Sequence, residues 1–304
     1  MTEIIVLGSL NMDLVVKAER APEAGETLPG QFFQTIPGGK GANQAAAAAK
    51  LGGDVAMVGR VGADDFGKSL IAALRDVGVD TSAVQTNPDH STGIAAITVE
   101  ETGENRILIV AGANGQFSTS DVDALHPALA QAKVLVLQME IPLATIEYAL
   151  DVAAQLDLLT VLNLAPAYPI SDAMLKQIDI LLLNESEARL LSNISVADID
   201  SAKVACSALH ARGANTVIVT LGAQGALLAT PAEFIFAPAY HVDVVDTTAA
   251  GDAFTAGFVV SLLETGDYAK SLQYANAVGA LTVTKLGAQV SLPTKEEVET
   301  FLKK

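Results

Sequence analysis

The segment Asp246-Thr-Thr-Ala-Ala-Gly-Asp252 runs straight into an apolar stretch carrying Phe254, Phe258 and Leu262. Small residues at the start of a helix leave backbone N–H groups open to an anion, and the helix dipole adds partial positive charge at that end. Asp252 then falls in the first turn. A carboxylate there either complements the dipole, which is worth about 0.3–1 kcal/mol, or takes a proton from a hydroxyl as that hydroxyl attacks phosphorus. The small residues before Asp252 leave its approach open and favour the second role. Another cluster, Gly38-Gly39-Lys40-Gly41-Ala42-Asn43, precedes the helix former run Ala45–Ala49. Its glycines allow a ligand close to the backbone. Lys40 and Asn43 are residues that a turn does not require.

Other spellings fail on chemistry. Gly62–Ser69, GADDFGKS, matches the phosphate-loop pattern. Asp64 and Asp65, however, would set two carboxylates where amides must surround phosphate, and no apolar strand ends in the Asp that would hold Mg²⁺. An ordinary strand–turn–helix connection is expected there. His90, His126, His210 and His241 show no metal-ligand pairing, and G-x-S-x-G and G-x-G-x-x-G are both absent. Zinc hydrolase, serine esterase and dinucleotide-fingerprint readings fall with them. Eighteen Lys and Arg against 35 Asp and Glu leave a net charge of −17, which repels nucleic acid and anionic membranes. Any nucleotide phosphate must therefore be held mainly by amides and Mg²⁺.

These groups need elements to position them. Six near-continuous apolar runs, Ile4–Leu7, Val55–Val58, Val134–Leu137, Leu158–Leu162, Ile180–Leu183 and Val217–Val219, read as strands buried on both faces. Between them lie Ala42–Leu51, Lys68–Asp76, Leu143–Gln155 and Glu185–Leu191, with helical spacing. That alternation predicts a parallel sheet in an α/β fold, with the ligand at the strand C-terminal ends. Ser9, Asn11, Gln138, Glu140, Asn163, Asn184 and Thr220 collect there. Asp13–Ile36 and Thr92–Val110 instead alternate with period two and read as antiparallel strands of a small sheet over that edge. After Asp246 helices are expected over Ala250–Leu263, Tyr268–Lys285 and Thr294–Leu302. The 304 residues suffice for one large α/β domain or two small ones, burying about 75% of the unfolded surface. The lone Cys206 falls in a helical run and reads as core filler. No run reaches 18 apolar residues, and Glu3 and Asp13 stand where a secretion signal would carry basic residues, so a cytoplasmic, membrane-free protein is expected.

GSLNMD at 8–13, GGKGAN at 38–43, AGAN at 111–114, QMEIP at 138–142, NLAPA at 163–167, NESEA at 184–188, TLGAQG at 220–225, DTTAAGD at 246–252 and KLGAQVS at 285–291 occur in this order. With them the chain resembles the ribokinase-like carbohydrate kinase family over essentially its whole length. The resemblance implies a single catalytic domain: a three-layer α/β/α core with a mainly parallel sheet, plus a β lid from residues 11–37 and 91–111. GSLNMD, AGAN and the AAGD form, where many relatives carry GAGD, point to the members that phosphorylate the 5-hydroxyl of D-ribose with ATP. The alternatives are a kinase for deoxyribose, another sugar or a nucleoside, and, more remotely, a non-catalytic sugar or nucleotide sensor.

Carried onto this chain, the resemblance implies Asp252 as general base, with the amides of Ala249, Ala250, Gly251 and Asp252 as anion hole. Asn11, Met12, Asp13, Gly39, Lys40, Gly41, Ala42, Asn43 and Glu140 would hold the sugar. Asn184, Thr220, Leu221, Gly222, Ala223, Gln224, Gly225, Gly251 and Asn276 would line the nucleotide side, and Glu187 would act on Mg²⁺ or its waters. A monovalent cation, K⁺, would lie against Asp246, Thr248, Thr282, Lys285, Gly287 and Ser291, mostly at backbone carbonyls. Val290 replaces a Pro of the family pattern, and Asn276 stands where some members carry His. A homodimer pairing the lids is also implied, and apolar Val15, Ile94 and Ile109 on the lid agree with it.

Overall fold

Runs of Val, Ile and Leu without polar interruption can be strands only where both sheet faces are covered. The computed structural model, which describes residues 2–303, places them in that setting. Its strands are β1 (Ile4–Leu7), β2 (Asn11–Ala18), β3 (Phe32–Gly38), β4 (Val55–Gly62), β5 (Val84–Asn87), β6 (Gly93–Glu100), β7 (Asn105–Val110), β8 (Val134–Leu137), β9 (Leu159–Asn163), β10 (Ile180–Leu183), β11 (Thr216–Thr220), β12 (Gly225–Ala229) and β13 (Phe234–Pro238). Nine of them form one sheet in the order β13-β12-β11-β10-β9-β8-β1-β4-β5. From β11 to β5 every pairing is parallel.

Side chains alternate between two cores, as the strand period requires. Ile4, Val6, Met57 and Val136 pack on one face against Ala45–Ala48, Phe258 and Val278. Ile5, Leu7, Leu135 and Leu137 face Ile146, Leu150, Cys206 and Leu209 on the other. The three-layer α/β/α reading holds. Cys206 is fully buried, and burial pushes its thiol up to about 12, as suits core filler.

The second sheet, β3-β2-β6-β7, joins the two stretches of period-two alternation. β2 pairs antiparallel with β3, but β2 and β6 run parallel, which corrects the wholly antiparallel expectation. The chain between them passes through β4, the helix Asp65–Asp76 and β5, and returns to the same end of the sheet, so β6 enters in the direction of β2. The pairing Asn11 with Gly38 sits at the end of β2 and β3 nearest the helix Lys40–Lys50. Three strands lie outside the expected runs. β5 is short and polar, and β12 and β13 form an antiparallel hairpin extending the sheet beyond β11. Among the described residues no helix is long and apolar enough to cross a membrane.

Candidate active site

Asn163 ends β9, Thr220 ends β11, and Ser9, Gln138 and Asn184 immediately follow the strands β1, β8 and β10 or lie just beyond them. The helix Ala250–Thr265 starts over the same edge, entered through Ala249 in the left-handed conformation (φ 60°). Such a turn costs an alanine about 1–2 kcal/mol. It leaves the first-turn amides of Gly251 and Asp252 without a partner among the described residues, whereas Ala250 N–H donates to Thr247 O at 3.2 Å. The expected four-amide anion hole is therefore narrowed at Ala250.

Asp252 is buried, and both its oxygens are held: Asn43 Nδ2 donates to Oδ2 and Gln44 Nε2 to Oδ1, each at 3.0 Å. It lines a cavity of about 210 Å³ with Lys40, Asn163, Asn184, Glu187 and Gly251. A larger cavity of about 370 Å³ holds Gly222, Ala223, Gly225 and Asn276 and shares Thr220, Thr247, Ala250, Gly251 and Phe254 with the first. The two spaces adjoin along the start of that helix.

Close approach of chains explains the glycines before Lys40. Gly39 has φ 91°, and a Cβ there would lie 2.6 Å from Asn11 N; at Gly41 it would lie 2.7 Å from Ser9 N. Asn11 backs onto Gly39 at this seam, and Asp13 and Glu140 act on Lys40 there. Glu140 Oε2 accepts from Lys40 N at 3.1 Å and from Ser9 Oγ at 2.5 Å. Asn114 of the AGAN segment accepts from Leu10 N and donates to Leu10 O and, at 2.8 Å, to Asn11 Oδ1, which leaves the Asn11 NH₂ as its free polar end. Met12, by contrast, packs in the apolar core, the Gly41 amide donates to Ser9 Oγ and the Ala42 amide to Ser9 O. These three frame the site without facing a ligand through those groups.

Among the described residues one cation, Lys40, stands among four carboxylates. Burial alone would depress Lys40, but Asp252, Glu140, Glu187 and Asp13 outweigh it and raise its proton affinity. Asp13 is pushed up to about 7, first by burial and then by Glu140, with Lys40 opposing and Asp252 adding. Burial likewise raises Asp252, against Lys40 and the Asn43 and Gln44 donors, and raises Glu187. Strongly shifted groups gathered in a cleft are the mark of a reacting centre.

The remaining expected residues divide. Asn184 and Glu187 line the smaller cavity while closing a capping box: Asn184 N donates to Glu187 Oε2 at 2.8 Å, and Glu187 N to Asn184 Oδ1 at 2.9 Å. Leu221 is core, and Gln224 Nε2 donates to Ala197 O, so neither side chain serves the larger cavity. Asn276 lines it but spends its NH₂ on Ala237 O and Pro238 O. Asp246 joins two loops: Oδ1 accepts from Thr248 N and Oγ1, and Oδ2 from Gly287 N. Lys285 pairs with Glu297, while Thr282 and Ser291 hydroxyls donate to Val278 O and Ala288 O, leaving main-chain oxygens as the available donors there. In the GADDFGKS segment Asp64 Oδ1 accepts from Gly67 N and Oδ2 from Thr92 N, so the turn amide is met by its own carboxylate, and Lys68 pairs outward with Asp65. That segment is a capped connection. Gln44 escaped the sequence reading; its signal was a polar side chain beside Asn43, directly ahead of the alanine run Ala45–Ala49.

A family model described as pfkB family carbohydrate kinase matches residues 1–295. A ribokinase from Haemophilus influenzae is 41% identical over 299 residues, 98% of each chain. A deoxyribokinase from Salmonella typhi is 36% identical over 301 residues, 99% of this chain and 98% of its own. The solved structure of Arabidopsis thaliana ribokinase complexed with ribose and ATP covers all of both chains with a TM-score of 0.93 at 34% identity.

Proposed function

The chain belongs to the pfkB family of carbohydrate kinases, and from that premise we infer that it transfers the γ-phosphoryl group of ATP to the 5-hydroxyl of D-ribose, giving D-ribose 5-phosphate and ADP. One observation carries the reading: a buried carboxylate, Asp252, gripped on both oxygens, opens onto a small cavity at a helix N-terminus, with a larger cavity adjoining. ATP seats its nucleoside in the larger space and its terminal phosphates against the Gly251 and Asp252 amides. Asp252 takes the hydroxyl proton as the sugar oxygen bonds to phosphorus and the bond to the bridging oxygen breaks, releasing ADP. Lys40, which lines the same cavity as Asp252 and Glu187, neutralises charge on the migrating group.

The donors fit the ions that such chemistry uses. Among the described residues no cluster of three or more acidic, His or Cys side chains could hold a metal on its own; Mg²⁺ would therefore be held in part by the phosphates, and Glu187, which lines the smaller cavity with Asp252, would orient its waters. Mg²⁺ supplies charge neutralisation across the phosphates. One carboxylate, Asp246, and backbone oxygens of the loop that Gly287 ties to it make a set suited to a singly charged K⁺.

Asp13 and the amide end of Asn11 recognise vicinal hydroxyls, and a half-buried carboxylate deprived of its hydroxyl partner is costly. An ADP-release assay with ATP and Mg²⁺, with and without K⁺, is expected to give D-ribose a kcat/KM about 10–100 times that of 2-deoxyribose. Equal efficiency would move the assignment to a deoxyribose kinase, and no turnover of any sugar would leave only a sensor. Activity indifferent to K⁺ would remove the cation from the scheme.

The four-stranded sheet acts as lid over the sugar and pairs with a second copy. Leu108 and Val110 of β7 and Phe33 of β3 share the sheet face opposite Asp13, Ile107, Ile109 and Phe32 share the face of Asp13, and all are exposed, Leu108 by 75%; apolar surface of this extent calls for cover. Sedimentation is expected to give twice 31.3 kDa, and Leu108→Glu to halve the mass. A monomer at micromolar concentration would end the dimer reading.

A further inference from the structure

We propose that Gln138 and Gln44 are positioning residues for Asp252: Gln138 dictates which end of the Gln44 amide meets the carboxylate, and so keeps the base ready to accept a proton. The proposal rests on Asp252 as general base. Gln44 is fully enclosed on the helix Lys40–Lys50, just ahead of the run Ala45–Ala49, and Gln138 is fully enclosed beyond β8. Gln138 Nε2 donates to Gln44 Oε1 at 2.7 Å; Gln44 Nε2 donates to Asp252 Oδ1 at 3.0 Å and lies 3.4 Å from Asn163 Oδ1.

The two ends of an amide have nearly the same shape, so packing alone does not choose between them. A carboxylate only accepts, and it needs the NH₂ end of Gln44. The donor on Gln138 supplies the choice, because it requires the oxygen end of Gln44 on its own side. This orientation leaves Gln138 Oε1 buried and without a partner, as is Asn43 Oδ1 across the carboxylate. An orphaned buried acceptor costs stability. Turning both glutamine amides over would keep their mutual bond but present an oxygen to Asp252. A neutral acid could donate to that oxygen; an ionised base could not accept from it. The cost is thus borne on the side that keeps Asp252 ionised.

The charged groups around Asp252 come from separate elements: Lys40 on the helix Lys40–Lys50 favours ionisation, while Asp13 on β2 and Glu187 on the helix Glu185–Ser192 oppose it, with Glu140 beyond, against Lys40 and Asp13. Lys40 is charged throughout the working pH range, so the glutamine relay adds a second, orientation-dependent support.

The test is kcat against pH, at saturating D-ribose and ATP, for Gln138→Glu, Gln138→Leu and Gln44→Met beside the unaltered enzyme. In Gln138→Glu the new carboxylate demands the NH₂ of Gln44, which turns over and offers its oxygen to Asp252. A lost bond to a charged acceptor converts to a kcat about 10–100 times lower at neutral pH and an acid limb moved up by about one unit. KM for D-ribose should stay within about threefold, since none of these side chains is placed against the sugar. Gln138→Leu adds no charge, so an upward shift there isolates orientation from through-space repulsion. Gln44→Met, which removes the donor, carries the same pH readout if Gln138→Glu does not fold. A pH-independent loss, or an unmoved acid limb in the folded variants, overturns the relay. Normal turnover of Asp252→Asn would instead overturn the base assignment beneath it.

Discussion

Replacing Asp252 with asparagine should lower turnover by about 10²–10⁴, the range that a positioned general base supplies. Folding and ATP binding should survive. An amide at that position offers one accepting oxygen where two donors, Asn43 Nδ2 and Gln44 Nε2, now converge, so one donor loses its partner. That loss is offset by the removal of a charge that burial disfavours. The larger cavity, proposed for the nucleotide and walled by Gly222, Ala223 and Gly225, does not include Asp252. Single-turnover kinetics with D-ribose, alongside an equilibrium titration with ATP, separate the two effects. Turnover within tenfold of the unaltered enzyme would mean that another group takes the proton.

The strands at the centre of the sheet were legible because burial on both faces leaves no polar positions: Ile4–Leu7, Val134–Leu137 and Ile180–Leu183 begin and end where the apolar runs do. At the sheet's edges that signal disappears. β5, Val-Gln-Thr-Asn, has almost nothing to bury, and β13 exposes Phe234 and Phe236, so neither resembles a core strand. The hairpin between β12 and β13 did have a local sign, Thr230 with Glu233, whose backbone and hydroxyl bonds close the turn. Asn184 and Glu187 illustrate a different ambiguity. An N-x-x-E spacing before an apolar run is also a helix-capping pattern, and both residues cap while lining the cavity. The place of Asp252 in the first turn of a helix, at the edge of a cavity, was legible from the small residues before it. The partners of its two oxygens were not, because Asn43 and Gln44 lie some two hundred residues earlier in the chain and meet it only through packing of the two helices.

Lys40→Met should be nearly as damaging to catalysis, and its effect on stability should depend on pH. Among the described residues Lys40 is the cation that draws down the proton affinity of Asp13 and Asp252, against the repulsion of Glu140 on Asp13 and of Glu187 with Asp252. Loss of a charge stabilising the transferred group costs about 10²–10³ in turnover. For stability, an Asp in the unfolded chain releases its proton near pH 3.9, whereas folded Asp13 holds it to about 7. Between those values the folded state binds more protons than the unfolded one, so stability falls as pH rises. Without Lys40 the folded carboxylates hold protons to still higher pH, and the decline must continue past 7. Thermal unfolding of the ligand-free protein from pH 5 to pH 9 should therefore show a small Tm difference between variant and unaltered chain at the acid end, widening steadily towards the alkaline end. A Tm offset that stays constant across that range would show that the ammonium contributes packing alone, and that the four carboxylates are not coupled through it.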